Sequence, residues 1–278
     1  MNSRLNYFIW KNDNKSILSS LFNKKVFMTY SGGKDSSVSL HFIQKAAKEF
    51  GFDFETHAAV FPHHVFRDVE KKKLDSHWRE RGINITWHEV PETDEHLANA
   101  LDQGLNPCLI CNHTKKKLLM NYFKSLIPDL ETLVIIMSYS LWDLVSGTIE
   151  HMLSAIYFNT NYYSPVRGKS SEERFIETSQ RFYPLLKLKG GLTIFKPMIR
   201  YNDQDILKVI SENKIPLLTA SCKYKEFRPK RLFATYYEKM GLHFEYSKVL
   251  EFAEKALNLP EISYYSEISM EEYLSKII

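Results

Sequence analysis

The chain has only three cysteines in 278 residues, no apolar run near the length of a membrane span, no internal repeat and no low-complexity tract. Without a long apolar run there is no membrane-spanning helix, and without a repeat there is no solenoid or propeller array. The opening residues, Met1-Asn2-Ser3-Arg4-Leu5-Asn6-Tyr7, lack the apolar core of a signal peptide, so the cytoplasm is the expected compartment and no membrane partner is expected. One-sided charge is also missing. Lysine and arginine total 37 against 33 acidic residues, and a net +4 is too little by itself to establish a nucleic-acid partner. Hydrophobic residues at 44% and charged residues at 25% are ordinary for a soluble globular protein, so disorder is not expected to dominate. The length suits one large α/β domain, or one domain with a smaller helical appendage, and supports a sizeable core.

What is present alternates between two periods. Residues 1–23 read as an N-terminal helical segment with a partial apolar face of Ile9, Trp10, Ile17, Leu18, Leu21 and Phe22. Strand signals follow at Val26–Tyr30, Thr56–Phe61, Ile83–Val90 and Leu133–Met137, with helical patterns near 36–50, 66–81 and 112–126 between them. That order predicts an α/β, Rossmann-like parallel sheet with helices on both faces, whose ligands sit at the carboxyl ends of the strands. A long helix is expected from Leu141 to Phe158. A polar stretch from Asn159 to Gln180, containing Arg167, Gly168, Lys169, Ser170 and Ser171, reads as a loop or lid. Beyond it come a strand at Leu192–Phe195 and a helix near 202–213, with Asp203 and Asp205 favourably placed in its first turn. From Arg228 the pattern is helical to the end, broken near Gly241 and Pro260. The expected division is a helical segment over 1–23, a catalytic domain over 24–220 and a helical extension over 221–278 that begins at the third cysteine.

The run Val26-Phe27-Met28-Thr29-Tyr30-Ser31-Gly32-Gly33-Lys34-Asp35-Ser36-Ser37 reads as a buried strand, a glycine turn and a helix start. Such a turn points backbone N–H groups at one spot beside the positive end of the helix dipole, which makes an anion pocket suited to phosphate. Gly32 and Gly33 permit positive φ and close approach, Ser31, Ser36 and Ser37 cap the helix or touch phosphate oxygens, and Lys34 adds a point charge. The order Ser-Gly-Gly-Lys-Asp-Ser differs from the P-loop pattern and resembles the PP-loop signature of the ATP pyrophosphatase superfamily. The resemblance implies an adenine nucleotide alpha hydrolase-like fold, and a loop that holds the pyrophosphate of ATP while a substrate carbonyl is adenylated, so that AMP is the nucleotide product.

Cys108 and Cys111 form Pro-Cys-Leu-Ile-Cys at a helix start, and Cys222 stands alone. A C-x-x-C pair on one side of a turn favours metal ligation or redox chemistry, and a helix N-terminus lowers thiol pKa. Zinc would need a fourth ligand, for which His113 is available; a thioredoxin-like disulfide would leave Cys222 idle; three cysteines alone suit an iron–sulfur cluster with one iron open. Basic residues gather just downstream of the cysteines, at Lys115, Lys116 and Lys117 and at Lys223, Lys225, Arg228, Lys230 and Arg231. Either group suits a solvated helix face as well as a polyanion.

Taken with the loop, the Pro-Cys-x-x-Cys before a basic helix, the run Lys196-Pro197-Met198-Ile199-Arg200-Tyr201-Asn202-Asp203-Gln204-Asp205-Ile206, then Ile215-Pro216 and Cys222, follow the order of the tRNA 2-thiocytidine synthetase-like branch, from about residue 20 to about 240. The resemblance implies that Cys108, Cys111 and Cys222 hold a 4Fe-4S cluster used for sulfur handling. It also implies ATP-dependent replacement of a nucleobase carbonyl oxygen by sulfur. The acceptor would be tRNA or a small nucleobase-containing molecule, and the donor sulfide or a cysteine-desulfurase-derived persulfide. A homodimer is compatible with it. The branch usually has Gly-His-His-x-Asp-Asp after the fourth strand; this chain has Ser138-Tyr139-Ser140-Leu141-Trp142-Asp143, in which only Asp143 matches. Nor does Cys222 open a second C-x-x-C.

On this reading Lys34, Asp35 and Asp143 are the catalytic residues. Lys34 acts on the phosphates, and Asp35 and Asp143 supply hard carboxylate oxygens for Mg²⁺. Adenine is expected beside the second strand, around Ala58, Ala59, Val60 and Phe61. His63, His64 and Arg67 follow that strand end within reach of substrate. Lys196 and Arg200 are candidates for phosphate or acceptor contact. Arg228, Lys230 and Arg231, interleaved with Phe227 and Phe233, suit an RNA backbone or simply the basic face of an amphipathic helix. A nitrogen-transferring ligase and a non-enzymatic nucleotide-binding protein are the competing classes.

Overall fold

The structure is a computed structural model that describes residues 4–61, 64–126, 130–157 and 171–273. Its centre is a six-stranded sheet built from β1 (Lys25–Thr29), β2 (Phe54–Val60), β3 (Ile85–Glu89), β4 (Leu133–Ile136), β5 (Leu185–Lys187) and β6 (Thr193–Phe195), in the order β3-β2-β1-β4-β6-β5. All neighbours are parallel except the edge pair β5–β6. The central strands β1 and β4 are largely apolar because both their faces are covered. Along β1, Val26 and Met28 enter one core layer while Phe27 enters the other; Val134 and Ile136 of β4 join the first layer, Leu133 and Ile135 the second. This is the period of two expected of a pleated strand.

The first layer is covered by α1 (Tyr7–Ser19), α2 (Lys34–Phe50), α3 (Asp68–Arg79) and α8 (Asp203–Asn213). On the other face lie α5 (Pro107–Leu126), reached through α4 (Asp94–Asp102), and the chain around Tyr265–Tyr273. A third cluster joins α6 (Leu141–Tyr157) to α9 (Pro229–Lys239) and α10 (Tyr246–Ala256). The helix α7 (Ser171–Ser179) precedes β5.

The order of strands positions the site. The chain leaves β1 toward β2 and β3 on one side, and returns to β4 on the other, so β1 and β4 flank the switch point where loops diverge and a crevice opens. The Ser31–Gly33 loop after β1 and the Ser138–Ser140 turn after β4 therefore lie side by side.

Several element bounds differ from the sequence expectation for local reasons. Helix α5 begins at Pro107, five residues earlier than the periodicity suggests. Asn106 Oδ1 accepts from the Cys108 and Leu109 amides at 2.9 and 3.4 Å, and Pro107 sits at the first helical position. Neither α4 nor the three-residue β5 was expected, the latter being too short to show a pattern. After Arg228 the chain is helical with breaks around Gly241 and Pro260, as the sequence indicates. Most of the lid expected over Asn159–Gln180 lies outside the described residues; its end forms α7 and a turn at Gln180–Phe182. Among the described residues no helix is long and apolar enough to cross a membrane.

The N-terminal helix is held by a large side chain. Trp10 is fully buried, stands 5.3 Å from the ring of Phe42, and donates through Nε1 to the Pro197 carbonyl at 3.0 Å. Trp10→Ala is expected to lower unfolding stability by about 3–5 kcal/mol in chemical denaturation, the range for removing a buried aromatic side chain.

Candidate active site

The phosphate-loop candidate turns as its glycines demand. Gly32 has φ +68°, and a Cβ there would stand 3.1 Å from Phe66 and 3.3 Å from Leu218 and Leu74. The Leu218 amide donates to Gly32 O at 2.9 Å, which ties the segment ahead of Cys222 to the loop. Gly33 opens α2 in extended conformation with no side-chain cap on the first amides, so these donors are left to a ligand. Ser31 and Ser36 brace the loop, with their hydroxyls 3.0 Å apart and Ser36 Oγ donating to Gly33 O at 3.1 Å. Ser37 departs from the phosphate-contact expectation. It is fully buried, with Oγ 3.4 Å from Tyr30 Oη, and Tyr30 in turn accepts from Trp78 Nε1 at 3.0 Å. It faces the core because it lies one residue further round the helix than Ser36.

Beside the loop lies a cluster of five charges. Lys34 Nζ is 2.6 Å from Asp35 Oδ1 and 2.9 Å from Asp203 Oδ2. Lys230 Nζ is 2.8 Å from Asp143 Oδ2, 3.0 Å from Asp203 Oδ1 and 3.3 Å from Asp35 Oδ2, and donates to Ser140 Oγ at 2.7 Å. Ser140 Oγ lies 2.7 Å from Asp203 Oδ1. Burial works to raise the Asp143 carboxyl, but Lys230 and then Lys34 outweigh it and hold the group down at about 2. Burial likewise works against the Lys230 ammonium, and Asp143, Asp35 and Asp203 more than compensate, raising it well above the ordinary lysine range.

Local structure explains the convergence. Asp143 begins α6 in a reciprocal cap: its Oδ2 accepts from the Ser140 amide at 2.9 Å while Ser140 Oγ faces the Asp143 amide at 3.4 Å. Trp142 Nε1 donates to Asn202 Oδ1 at 3.0 Å and Leu141 N to Tyr201 O at 2.9 Å, bringing the start of α8, and hence Asp203, to the same turn. Asp203 and Lys230 are site residues that sequence reading missed. In sequence Asp203 reads only as a first-turn acid, and Lys230 as one of a group suited to an RNA backbone or to the basic face of an amphipathic helix. The run Arg228–Arg231 does not form one basic face: Lys230 points into the carboxylates, the Arg228 charge acts on the Cys108 thiol, and Arg231 is exposed.

The three cysteines come together, free and half-buried, in one apolar cluster with Phe61, Ile110 and Tyr224. Cys108 Sγ donates to Tyr224 O at 2.9 Å, and Cys222 Sγ lies 3.1 Å from His64 Nε2. His64 stacks on Tyr224 at 5.7 Å. Lys223 lies over the Tyr224 ring at 4.9 Å, and Lys115 over both Phe61 and Phe66 at 5.8 Å. The lowered thiol pKa expected from the helix N-terminus is not what Cys108 shows. Burial pushes its thiol up, Arg228 pulls it down, and the neighbouring Cys222 and Cys111 push it up. A soft three-thiol set with an arginine and lysines around it fits the charge of an iron–sulfur cluster. Among the described residues no three His, Cys, Asp or Glu side chains converge closely enough to hold a single metal ion.

The remaining expectations separate. Ala59 and Phe61 are buried, and the Phe61 ring belongs to the cysteine cluster, so what this strand end offers a base is backbone. His63 lies outside the described residues. Lys196 and Arg200 are corrected: the first is fully buried with Nζ donating to Gln180 O at 3.0 Å, the second donates to Asp13 O at 3.0 Å and lies over Tyr246. Both support the framework, and neither contacts the carboxylates.

No family model matches the sequence, and none of the curated proteins compared with it matches. Solved structures do. The fold is similar to that of "U34-tRNA thiolase NcsA from Methanococcus maripaludis with its [4Fe-4S] cluster" at a TM-score of 0.61 and 16% identity, over 91% of this chain and 81% of that one. NMN synthetase from Francisella tularensis matches at a TM-score of 0.44 and 14% identity, over 94% and 93%. NAD+ synthetase from Burkholderia pseudomallei matches at 0.45 and 14%, over 91% and 83%. The Rossmann-like α/β fold expected from the resemblance to the PP-loop superfamily is thus the fold observed.

Two outcomes follow from the geometry. Gly32→Ala must adopt positive φ and crowd Phe66, and is expected to cost at least about 1–2 kcal/mol in thermal unfolding. Gly33→Ala, at φ −83° with only Ser31 Oγ at 3.4 Å, should unfold like the parent. Because the folded-state pKa of Asp143 lies below its unfolded value, its contribution is present above about pH 4 and lost as pH falls toward 2. Denaturation at stepped pH should show the parent losing about 2 kcal/mol more than Asp143→Asn between pH 5 and pH 2.

Proposed function

We propose that this protein is an ATP-dependent sulfurtransferase that replaces a nucleobase carbonyl oxygen by sulfur through an adenylated intermediate, with tRNA as acceptor. The observation that carries the reading is the span of two residues from Arg228, whose charge acts on the Cys108 thiol, to Lys230, seated among Asp35, Asp143 and Asp203. A phosphate-type loop with its charged cluster and a three-thiol patch adjoin, as carbonyl activation followed by sulfur attack requires. The fold likeness to a thiolase that carries a [4Fe-4S] cluster supports the same reading.

The residues divide the work. The uncapped first amides of α2, from Lys34 to Ser36, and the Lys34 ammonium receive the phosphates and meet the charge that develops on departing pyrophosphate. Asp35 and Asp143 would hold Mg²⁺, which offsets the negative charge of the triphosphate. The acceptor's carbonyl oxygen attacks the α-phosphorus and pyrophosphate leaves; a sulfur nucleophile then adds to the activated carbon, and AMP departs with the original oxygen. Cys108, Cys111 and Cys222 would hold a 4Fe-4S cluster, which when bound supplies an open iron for sulfide. Lys115, Lys223 and Arg228 ring this patch and suit the phosphates of an RNA acceptor.

Anaerobically prepared protein is expected to contain iron and sulfide, to bind tRNA with a salt dependence of several phosphate contacts, and to form AMP and pyrophosphate in its presence. Lys34→Ala and Asp143→Asn should each lower AMP formation about 100-fold or more. Serine at any one of the three cysteines should remove the thiolated product. Stoichiometric zinc without iron, or undiminished turnover in Lys34→Ala, would defeat the reading. Thiolation of a free nucleoside without tRNA binding would move the acceptor to small molecules.

A further inference from the structure

The run after the third cysteine, Lys223-Tyr224-Lys225-Glu226-Phe227-Arg228-Pro229-Lys230-Arg231, carries five cations and one acid. Lys230 is engaged by the carboxylates of the charged cluster. The other four, together with Lys115 of α5, pair with no carboxylate among the described residues, whereas surface lysines elsewhere do: Lys11 with Glu49, Lys71 with Glu89 and Lys124 with Glu271. Lys223 and Lys115 lie over the rings of Tyr224 and Phe61, both members of the cysteine cluster, and the Arg228 charge acts on the Cys108 thiol. An uncompensated positive surface beside the thiols suits a polyanion.

Among these cations stands one ring that the protein does not use. Phe227 is 40% exposed, joins none of the clusters of buried side chains, and among the described residues its ring meets no other ring. Phe233, a few residues on, packs into the third cluster instead. A lone exposed ring is ordinary on a protein surface, but this one is held in a fixed place. The turn Lys225–Phe227 is closed by the Phe227 amide, which donates to Tyr224 O at 3.1 Å, and by the Arg228 amide, which donates to Lys225 O at 3.2 Å. Tyr224 is itself buried, and its carbonyl also accepts from Cys108 Sγ at 2.9 Å. One carbonyl therefore fixes the backbone of Phe227 and a thiol together. The charge around the ring argues for nucleic acid, and the unpartnered ring for its bases. Stacking on an aromatic face with cations along the backbone is how unpaired strands are held, because a base within a duplex has no free face to offer.

We propose that Phe227 is a stacking platform on which an unpaired base of the RNA acceptor rests beside the thiols, while Lys225, Arg228 and Arg231 meet the flanking phosphates. The inference rests on the reading of an RNA acceptor, and adds that the acceptor is engaged at a single-stranded position. Stacking and phosphate contact differ in salt dependence, which makes the two separable.

The test is fluorescence anisotropy of labelled tRNA titrated with the full chain at several salt concentrations. Phe227→Ala and Phe227→Leu are expected to weaken binding about tenfold at every salt concentration, with the slope of log affinity against log salt as in the parent. Phe227→Tyr should bind like the parent, and Arg231→Ala should lower the slope by about one. Parent affinity in Phe227→Ala or in Phe227→Leu would overturn the proposal. Failure of the parent to bind tRNA at low salt would overturn the tRNA reading instead, and a second arm then decides the role of the ring. Phe227→Trp, read by fluorescence against the parent with its four tryptophans, should be quenched by oligouridylate and not by an abasic oligomer of equal length. No quenching, or equal quenching by both, would overturn the proposal.

Discussion

Five charges share one small volume, and the rest of the site is arranged around keeping them balanced. Asp35, Asp143 and Asp203 would repel one another strongly if Lys34 and Lys230 were not interleaved among them. In a partly desolvated setting, removing any one member leaves the others uncompensated, which costs more than the pair itself contributes. Four chain segments must therefore end at the same place: the starts of α2, α6, α8 and α9. The parallel sheet supplies the first two through its switch point between β1 and β4. The Trp142–Asn202 hydrogen bond brings in the third, and Lys230 itself brings in the fourth.

The strands and the first helices were legible because they obey simple periods. Val26–Thr29 and Leu133–Ile136 are continuous apolar runs between turn residues, as a doubly covered parallel strand must be. The Ser31–Ser36 loop was legible because its glycines and cap residues act locally. Asp203 and Lys230 were not, since nothing within ten residues of either says that they meet across the fold. Asp203 reads as an acid favoured by a helix dipole, and it is also that. Lys230 reads as one of several bases in a row, and only the packing of α9 against α6 turns it inward while Arg231 stays outside. Cys108 failed differently: its helix position was correctly inferred, but burial outweighed the dipole.

The turn after β4 shows how a departure from a familiar pattern can keep its purpose. Where histidines would stand in the branch that the sequence resembles, Ser140 serves as helix cap, accepts from Lys230 and touches Asp203 in one hydroxyl. Asp143 caps and carries charge at once. Structural and chemical roles are superimposed on the same atoms, so a helix start and a site are specified together.

Phe66 stands between the two halves of the site. Its ring is in contact range of the space beside Gly32 and also lies beneath Lys115 at the edge of the cysteine patch. It works as a party wall. Neither chamber can be enlarged or reshaped at that ring without altering the other, so the shape of the glycine loop and that of the cysteine patch are bound to drift together rather than be tuned apart.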